Sequence, residues 1–119
     1  MSKILIVEDN PDIAALYQRA LTQHQTSIFR DIPAAMEHLK HNSPDLAILD
    51  FYLPSGSGMS LLQYMRSNAE LENIPVLGIS ADDSLKDTAE SYGINAFLAK
   101  PINLGEMIKV TQQLLKKSA

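Results

Sequence analysis

The chain of 119 residues contains no cysteine. It can therefore form neither a disulfide nor a metal site built from thiolates. Long apolar runs are also missing, and no stretch approaches the roughly 20 residues that a membrane-spanning helix needs. The apolar run at residues 4–7 ends at Glu8 and Asp9 and is too short for the core of a signal peptide. We therefore expect a cytoplasmic protein that does not contact a membrane.

Basic residues are fewer than acidic ones, with 10 Lys and Arg against 14 Asp and Glu, and the net charge is -4. Nonspecific binding to nucleic acid depends on Lys and Arg that neutralise phosphates, so we expect no direct contact with nucleic acid. The other fractions, 45% hydrophobic and 20% charged, are ordinary for a soluble protein. The length predicts a single domain over residues 1–119, with one core.

Short apolar runs recur along the chain, at residues 4–7, 46–49, 74–79 and 96–99. Near-continuous runs of this length are typical of strands that are buried on both faces of a parallel sheet. A weaker run at residues 26–30 predicts a fifth strand nearer an edge.

Between these runs, apolar residues recur at spacings of three and four, which predicts helices with one face on a core. The predicted faces are Ile13, Leu16, Tyr17, Ala20 and Leu21; Ile32, Ala35, Met36 and Leu39; Leu61, Leu62 and Met65; Leu85, Thr88, Ala89 and Tyr92; and Leu104, Met107, Ile108, Thr111 and Leu115. Asn10 and Pro11 predict a helix start, and Gly93 predicts a helix end. Residues 54–58 predict a loop ahead of a helix.

A strand followed by a helix, repeated five times, predicts an α/β fold with a doubly wound five-stranded parallel sheet. In such sheets, ligands bind beyond the carboxyl ends of the strands. Five reactive side chains stand at these ends, which we expect to meet at one edge. They are Glu8 and Asp9 after the first strand, Asp50 after the third, Ser80 after the fourth and Lys100 after the fifth.

Three carboxylates at one edge predict a cation. Two like charges about 4 Å apart repel by roughly 4 kcal/mol at an effective dielectric constant near 20. Mg²⁺ prefers oxygen ligands and would relieve this repulsion, although any one of the acids alone could be a helix cap. Lys100 could pair with Asp50, and the bond to Pro101 restricts its backbone and allows a cis peptide. The Ser80 hydroxyl could donate a hydrogen bond to a bound oxygen.

With these motifs, the chain resembles the receiver domains of bacterial two-component response regulators, including the stand-alone chemotaxis regulator. The resemblance covers essentially the whole chain. It is carried by an ordered set of motifs: residues 4–10 (ILIVEDN), 49–54 (LDFYLP) with Gly58-Met59, 74–76 (IPV) through Ser80-Ala81, and Gly93 through 96–101 (AFLAKP). It implies a flavodoxin-like (βα)5 fold with strand order 2-1-3-4-5.

The resemblance also implies roles. Asp50 would be the phospho-acceptor, taking a phosphoryl group from a sensor histidine kinase or phosphotransfer protein. Mg²⁺ would be the cofactor, held by Glu8, Asp9, Asp50 and the backbone carbonyl of Tyr52, while Lys100 and Ser80 would bind the phosphoryl group. The chain would catalyse its own phosphorylation and dephosphorylation without being a conventional turnover enzyme.

A switch and two variable positions complete what the resemblance implies. Ser80 and Phe97 would change a surface formed by the fourth helix, fifth strand and fifth helix, and so control a downstream protein or an output domain outside this chain. Phe97 has no hydroxyl, so its inward state would rest on packing alone. Tyr52 and Asp82 would tune the lifetime of the phosphoryl group. We expect a monomer or a weak homodimer.

Three other functions deserve comparison. A flavodoxin-like cofactor protein would need a phosphate-binding loop after the first strand, where residues 8–11 (EDNP) carry acids instead. A phosphohydrolase of the haloacid-dehalogenase type would need an aspartate where Tyr52 stands. A pseudo-receiver, acting only in protein interactions, remains an alternative. His24, His38 and His41 show no third metal ligand and are interpreted as surface residues.

Overall fold

The structure is a computed structural model that describes residues 2–53 and 57–118, with side chains described up to residue 116. Its strands are β1 (Lys3–Val7), β2 (Gln25–Phe29), β3 (Leu46–Asp50), β4 (Val76–Ser80) and β5 (Ala96–Ala99). Its α-helices are α1 (Pro11–Ala20), α2 (Ile32–Leu39), α3 (Gly58–Arg66), α4 (Lys86–Ser91) and α5 (Leu104–Ser118). A 3-10 turn, Asp83–Leu85, precedes α4.

The strands form one parallel sheet, as the sequence pattern predicted, in the order β2-β1-β3-β4-β5 that the family resemblance implied. Side chains alternate between its two faces, and both faces are covered. Leu5 and Val7 pack in the cluster that includes residues of α2 and α3. Ile4 and Ile6 pack in the cluster that includes residues of α1 and α5. Because both faces are buried, polar chemistry is confined to the ends of the strands.

Local signals in the sequence set the helix ends. Asn10 caps α1, since its side-chain oxygen accepts hydrogen bonds from the backbone N–H groups of Asp12 (2.9 Å) and Ile13 (3.2 Å), and Pro11 is the first helical residue. Gly93 follows α4 with a φ of 89°, a conformation that glycine adopts without strain. Ser57 caps α3, while the first three residues of the predicted loop, 54–56, lie outside the described residues.

Several predicted boundaries were wrong by one or two residues. β2 begins at Gln25 and ends at Phe29 rather than spanning 26–30, and β4 begins at Val76 rather than at residue 74. Pro75 explains the second difference, because proline has no N–H for the ladder. Its carbonyl still accepts the N–H of Ala47 at 3.0 Å.

Three residues on predicted core faces are exposed, one of them Thr88 on α4. Leu16 is 43% exposed and Tyr92 is 44% exposed. On α1 the buried stripe runs through Ala14, Tyr17 and Leu21, and Leu16 lies off it. Leu85 belongs to the 3-10 turn rather than to α4, which is only six residues long and buries Ala89 alone. No helix described for this chain combines the length and the apolar character that crossing a bilayer requires.

Candidate functional site

The carboxyl edge of the sheet carries the polar residues that the sequence placed there. Glu8 follows β1, Asp50 ends β3, Ser80 ends β4 and Lys100 follows β5. Glu8, Asp50 and Ser80 are 1%, 2% and 0% exposed, so their polar groups depend on partners within the protein.

Lys100 joins two of these acids. Its Nζ lies 2.8 Å from Asp50 Oδ2 and 3.2 Å from Glu8 Oε1. The other two oxygens accept backbone hydrogen bonds, Asp50 Oδ1 from Tyr52 at 2.9 Å and Glu8 Oε2 from Asn10 at 3.1 Å. Both buried carboxylates therefore have a donor on each oxygen. The sequence predicted the pairing of Lys100 with Asp50 but missed the pairing with Glu8.

A third acid stands beside this pair. Glu8, Asp9 and Asp50 each offer a carboxylate oxygen, and these atoms all lie within 4.8 Å of one another. Within residues 2–53 and 57–118, this is the one group of three or more acids or histidines close enough to share a metal ion. Oxygen donors in this number suit a hard divalent cation.

Burial and charge shift the protonation of the site. Burial, more than the neighbouring Asp50 carboxylate, raises the pKa of Glu8 above its usual 4.5. Burial alone would lower the pKa of Lys100, but its contacts with Asp50 and Glu8 outweigh this and raise it. Tyr17, on the buried face of α1, has its pKa raised to about 12, first by burial and then by the Glu8 charge. Lys100 is therefore protonated at neutral pH, whereas ionising the buried Glu8 costs free energy.

Ser80 is linked to the loop that follows it. Its Oγ accepts a hydrogen bond from the backbone N–H of Asp82 at 3.1 Å, and its carbonyl accepts one from the Lys100 N–H at 2.9 Å. The peptide bond from Lys100 to Pro101 is cis, the geometry that the sequence allowed. Ser80 thus connects the strand that bears it to both the Lys100 backbone and the start of the 3-10 turn.

Tyr52 and Asp82, which the sequence singled out separately, contact each other. The Tyr52 hydroxyl donates a hydrogen bond to Asp82 Oδ2 at 2.9 Å. Asp82 Oδ1 accepts the N–H of Ser84 at 2.9 Å, and these contacts lower the pKa of Asp82, with the Ser84 bond contributing most. The Asp82 contact also raises the pKa of Tyr52. This contact could not be read from the sequence, because the two residues are thirty positions apart.

Phe97 lies apart from the acidic group. It is half-buried on β5, and its ring centre is 6.0 Å from that of the buried Phe51. Gly78 on β4 faces it in the strand pairing, and the Phe51 ring lies against that glycine. Phe97 is thus connected to the site through its pairing with β4 and its contact with Phe51.

The histidines take the ordinary contacts expected of surface residues. His24 Nδ1 lies 3.3 Å from the Ser2 N–H, and His38 Nδ1 lies 3.3 Å from the Asn42 side chain. His41 lies 3.6 Å from Glu37. None of the three belongs to a metal-sized group among the described residues.

A basic residue at the opposite end of the sheet was not foreseen. Arg66, the last residue of α3, donates hydrogen bonds to the backbone carbonyls of Gly93 (3.0 Å), Glu72 (3.1 Å) and Ile74 (2.9 Å). It also donates to the Asn95 side chain at 2.8 Å. A long basic side chain at a helix end was the only sequence signal, and it is a common one.

Known proteins resemble this chain over nearly its full length. The family model described as the response regulator receiver domain matches residues 4–112. The transcriptional regulatory protein PhoP of Escherichia coli K12 is 32% identical over 98% of this chain and 53% of its own length. The sensor histidine kinase TmoS of Ectopseudomonas mendocina is 33% identical over 88% of this chain and 11% of its own length. The chain thus spans about half of PhoP and a small part of TmoS.

A solved structure confirms the fold. The receiver domain of the sensor histidine kinase PA1611 from Pseudomonas aeruginosa PAO1 has a TM-score of 0.87, with 97% of this chain and 98% of that chain covered. The two are 23% identical, and the PA1611 structure is described with a magnesium ion coordinated in its active site cleft. The strand order, the gathered acids and the match over residues 4–112 lead to one conclusion. This chain belongs to the response regulator receiver domain family.

Proposed function

We propose that this chain is a phosphorylation-dependent signalling switch that accepts a phosphoryl group on Asp50. The observation that carries this proposal is the contact of Lys100 with Asp50 at 2.8 Å, beside an acidic group suited to a divalent cation. An ammonium and a bound cation would together neutralise the charge that develops on a transferred phosphoryl group.

The proposed transfer uses the carboxylate of Asp50 as the nucleophile. One of its oxygens attacks the phosphorus of a phosphohistidine, and an oxygen–phosphorus bond forms as the phosphorus–nitrogen bond breaks. The electron pair of the broken bond stays on the imidazole nitrogen, which takes up a proton. The backbone N–H of Tyr52 holds Asp50 Oδ1 at 2.9 Å and so orients the carboxylate.

Magnesium is the proposed cofactor, with Glu8, Asp9, Asp50 and the backbone carbonyl of Tyr52 as its protein ligands. The donor set fits, since three carboxylates lie within 4.8 Å of one another and one cation would offset their repulsion. When bound, the ion would supply positive charge to the phosphoryl oxygens. The magnesium reported for PA1611 is a property of that protein and only suggests the same ion here.

Ser80 and Phe97 are the proposed switch residues. The Ser80 hydroxyl would turn to donate a hydrogen bond to the phosphoryl group. Phe97 would then move inward toward the space beside Ser80 and Phe51, changing the surface formed by α4, β5 and α5. Its closeness to Phe51, 6.0 Å between ring centres, supports a route through packing, because phenylalanine has no hydroxyl to form a bond.

Tyr52 and Asp82 are proposed to set the lifetime of the phosphoryl group. Tyr52 could obstruct an attacking water molecule, and Asp82 could orient one. Phosphoryl lifetimes should therefore change in Tyr52→Ala, in Asp82→Ala or in both, and unchanged lifetimes in both variants would refute this part.

The proposed partners are a sensor histidine kinase or phosphotransfer protein upstream, and a protein target or output domain downstream. Residues 1–119 are proposed to form one receiver domain that works in the cytoplasm as a monomer or weak homodimer. Receiver domains occur both in response regulators such as PhoP and in kinases such as TmoS, which supports both classes of partner.

Incubation with acetyl phosphate and magnesium, followed by intact mass measurement, tests the proposal. We expect a gain of one phosphoryl group that is lost in Asp50→Ala. Asp45→Ala is the matched control, since Asp45 is exposed and accepts the backbone N–H of Lys3 at the other end of the sheet. It should retain the gain. No mass gain, together with no binding of beryllofluoride, would instead favour a pseudo-receiver.

A further inference from the structure

The start and the end of α4 are held by two different contacts. At the start, Asp82 caps the 3-10 turn with Oδ1 and accepts the Tyr52 hydroxyl with Oδ2, each at 2.9 Å. At the end, Arg66 donates to the Gly93 carbonyl at 3.0 Å and to Asn95 at 2.8 Å. Between them α4 buries only Ala89, so its own packing holds it weakly.

These two contacts differ in their surroundings. Tyr52 is 51% exposed, and the bond to Asp82 faces solvent, so water competes for both groups. Arg66 is half-buried and donates to four acceptors, three of them backbone carbonyls. The start of α4 is therefore the end that can be released without disturbing the core.

The Tyr52 contact is connected to the acceptor site at both of its ends. The Tyr52 N–H donates to Asp50 Oδ1 at 2.9 Å, and the Asp82 N–H donates to Ser80 Oγ at 3.1 Å. If the Ser80 hydroxyl turns toward a phosphoryl group, it leaves the Asp82 N–H. Asp82 is then still held by its hydrogen bond with Tyr52, the polar contact that joins it to the loop after Asp50 among the described residues.

We propose that the Tyr52–Asp82 hydrogen bond is a latch that holds the start of α4 in the unphosphorylated position, while Arg66 fixes the other end. Opening the latch lets α4 pivot about Gly93, so the latch opposes the switch. This inference rests on the proposed function of Asp50 and adds a regulatory role for the side chain of Tyr52, which acts through Asp82 as a positioning residue.

Hydrogen exchange of the unphosphorylated, magnesium-free chain tests the latch by itself. Tyr52→Phe removes one hydroxyl and keeps the ring. The backbone N–H groups of Asp82, Ser84 and Lys86 should exchange about threefold faster, since an exposed hydrogen bond with a net contribution of about 0.6 kcal/mol corresponds to a factor near three. Ile94 and Asn95, beyond the Arg66 contact, should be unchanged. Tyr64→Phe, a half-buried tyrosine on α3, is the matched control and should change neither group.

Acceptor-side variants separate the latch from a general loss of structure. Asp82→Asn keeps an oxygen to cap the Ser84 N–H and an amide N–H that can donate to the Tyr52 hydroxyl oxygen, so the same N–H groups should exchange more slowly than in Asp82→Ala, which loses both contacts. The double variant Tyr52→Phe with Asp82→Ala should exchange no faster than Asp82→Ala, because one bond is lost in both. Additive increases, or no increase in Tyr52→Phe, would overturn the proposal.

Beryllofluoride titration in magnesium tests the link to switching. Tyr52→Phe should bind about threefold more tightly than the wild type, because less of the binding energy is used to open the latch. Faster exchange with unchanged affinity would show a contact that does not oppose switching and would overturn the regulatory role. Failure of the wild type to bind beryllofluoride or to gain a phosphoryl mass would instead refute the function of Asp50, whatever the exchange data show.

Discussion

The two ends of the parallel sheet use charge in opposite ways. At the carboxyl end, Lys100 contacts two acids, Glu8 and Asp50, and a third acid stands within 4.8 Å. At the amino end, Arg66 donates to backbone carbonyls and one side-chain amide, and within the described part of the chain it contacts no acidic side chain. The first arrangement leaves excess negative charge, and the second leaves each donor with a neutral acceptor.

This difference separates the proposed cation site from a contact that stabilises the fold. Acids that exceed their cations are destabilising until a ligand joins them, so the proposed site would lower stability in favour of affinity. Arg66 joins α3 to the segments that lead into β4 and β5, and its partners are satisfied without any ligand. Substitutions at each end can show whether the two ends change independently.

Removing the Lys100 ammonium from the acidic end should have the largest effect on stability. Lys100→Met would leave Glu8 and Asp50 buried without an ammonium, and we expect the free energy of unfolding at neutral pH to fall by about 3 kcal/mol without magnesium. Urea denaturation measures this, and magnesium should restore part of the loss. Lys109→Met, an exposed lysine on α5, should change stability by less than about 0.5 kcal/mol.

The contacts of Lys100 with Glu8 and Asp50 also predict how the free energy of unfolding changes with pH. The pKa of folded Lys100 is raised above 10.5, so the folded chain holds this proton more tightly than the unfolded chain. Its contribution is complete below about pH 10.5 and is lost as the pH rises through the folded value. The wild type should therefore lose stability in this alkaline range more steeply than Lys100→Met, and equal slopes would contradict the pairing.

Arg66→Ala should have the next largest effect, at the other end of the sheet. It removes donors from three carbonyls and one amide, and we expect a loss of about 2 kcal/mol in urea denaturation. Arg66→Lys should recover less than half, because an ammonium lacks the planar set of donors. Folded Arg66→Lys should still gain one phosphoryl mass from acetyl phosphate. A loss of that gain in folded protein would show that the two ends are coupled.

The sequence predicted one end of the sheet far better than the other. Each reactive residue at the carboxyl end lies at the end of an apolar strand or within two residues of it, so strand order and chemistry together bring Asp50 and Lys100 to one place. The partners of Arg66 are mostly backbone carbonyls, which every residue has, and no pattern of residue types marks them. The Tyr52–Asp82 contact was hidden for another reason, since it depends on the conformation of two loops.

Glu8→Gln tests the excess charge directly and should stabilise the chain. Burial raises the pKa of Glu8, so folded Glu8 binds its proton more tightly than unfolded Glu8, and wild-type stability falls as the pH rises from 4.5 through the folded pKa. Glutamine lacks this titration. Without magnesium we expect a gain of about 1 kcal/mol at neutral pH, and none below pH 4.5.

The same variant should bind magnesium more weakly than the wild type. Loss of one carboxylate should weaken magnesium binding about tenfold, measured by titration calorimetry. Glu70→Gln, an exposed acid between α3 and β4, should alter neither stability nor affinity. If Glu8→Gln is less stable than the wild type and binds magnesium equally well, then the carboxylate of Glu8 does not lower stability in favour of magnesium binding.

Thr111→Val concerns the interior between the two ends and should change stability about as much as Glu8→Gln. Thr111 is fully buried on α5, and its hydroxyl is the one buried side-chain polar atom without a hydrogen-bond partner among the described residues. Ser80, equally buried, accepts the Asp82 N–H at the acidic end. An unpaired hydroxyl away from either end serves no site, and replacing it with a methyl group should stabilise the chain by about 1 kcal/mol.

Thr88→Val, exposed on α4, controls for helix propensity and should change the free energy of unfolding in urea by less than about 0.5 kcal/mol. A less stable Thr111→Val chain would show that the hydroxyl has a partner, such as a buried water molecule, and that polar groups in this fold are not confined to the ends of its sheet.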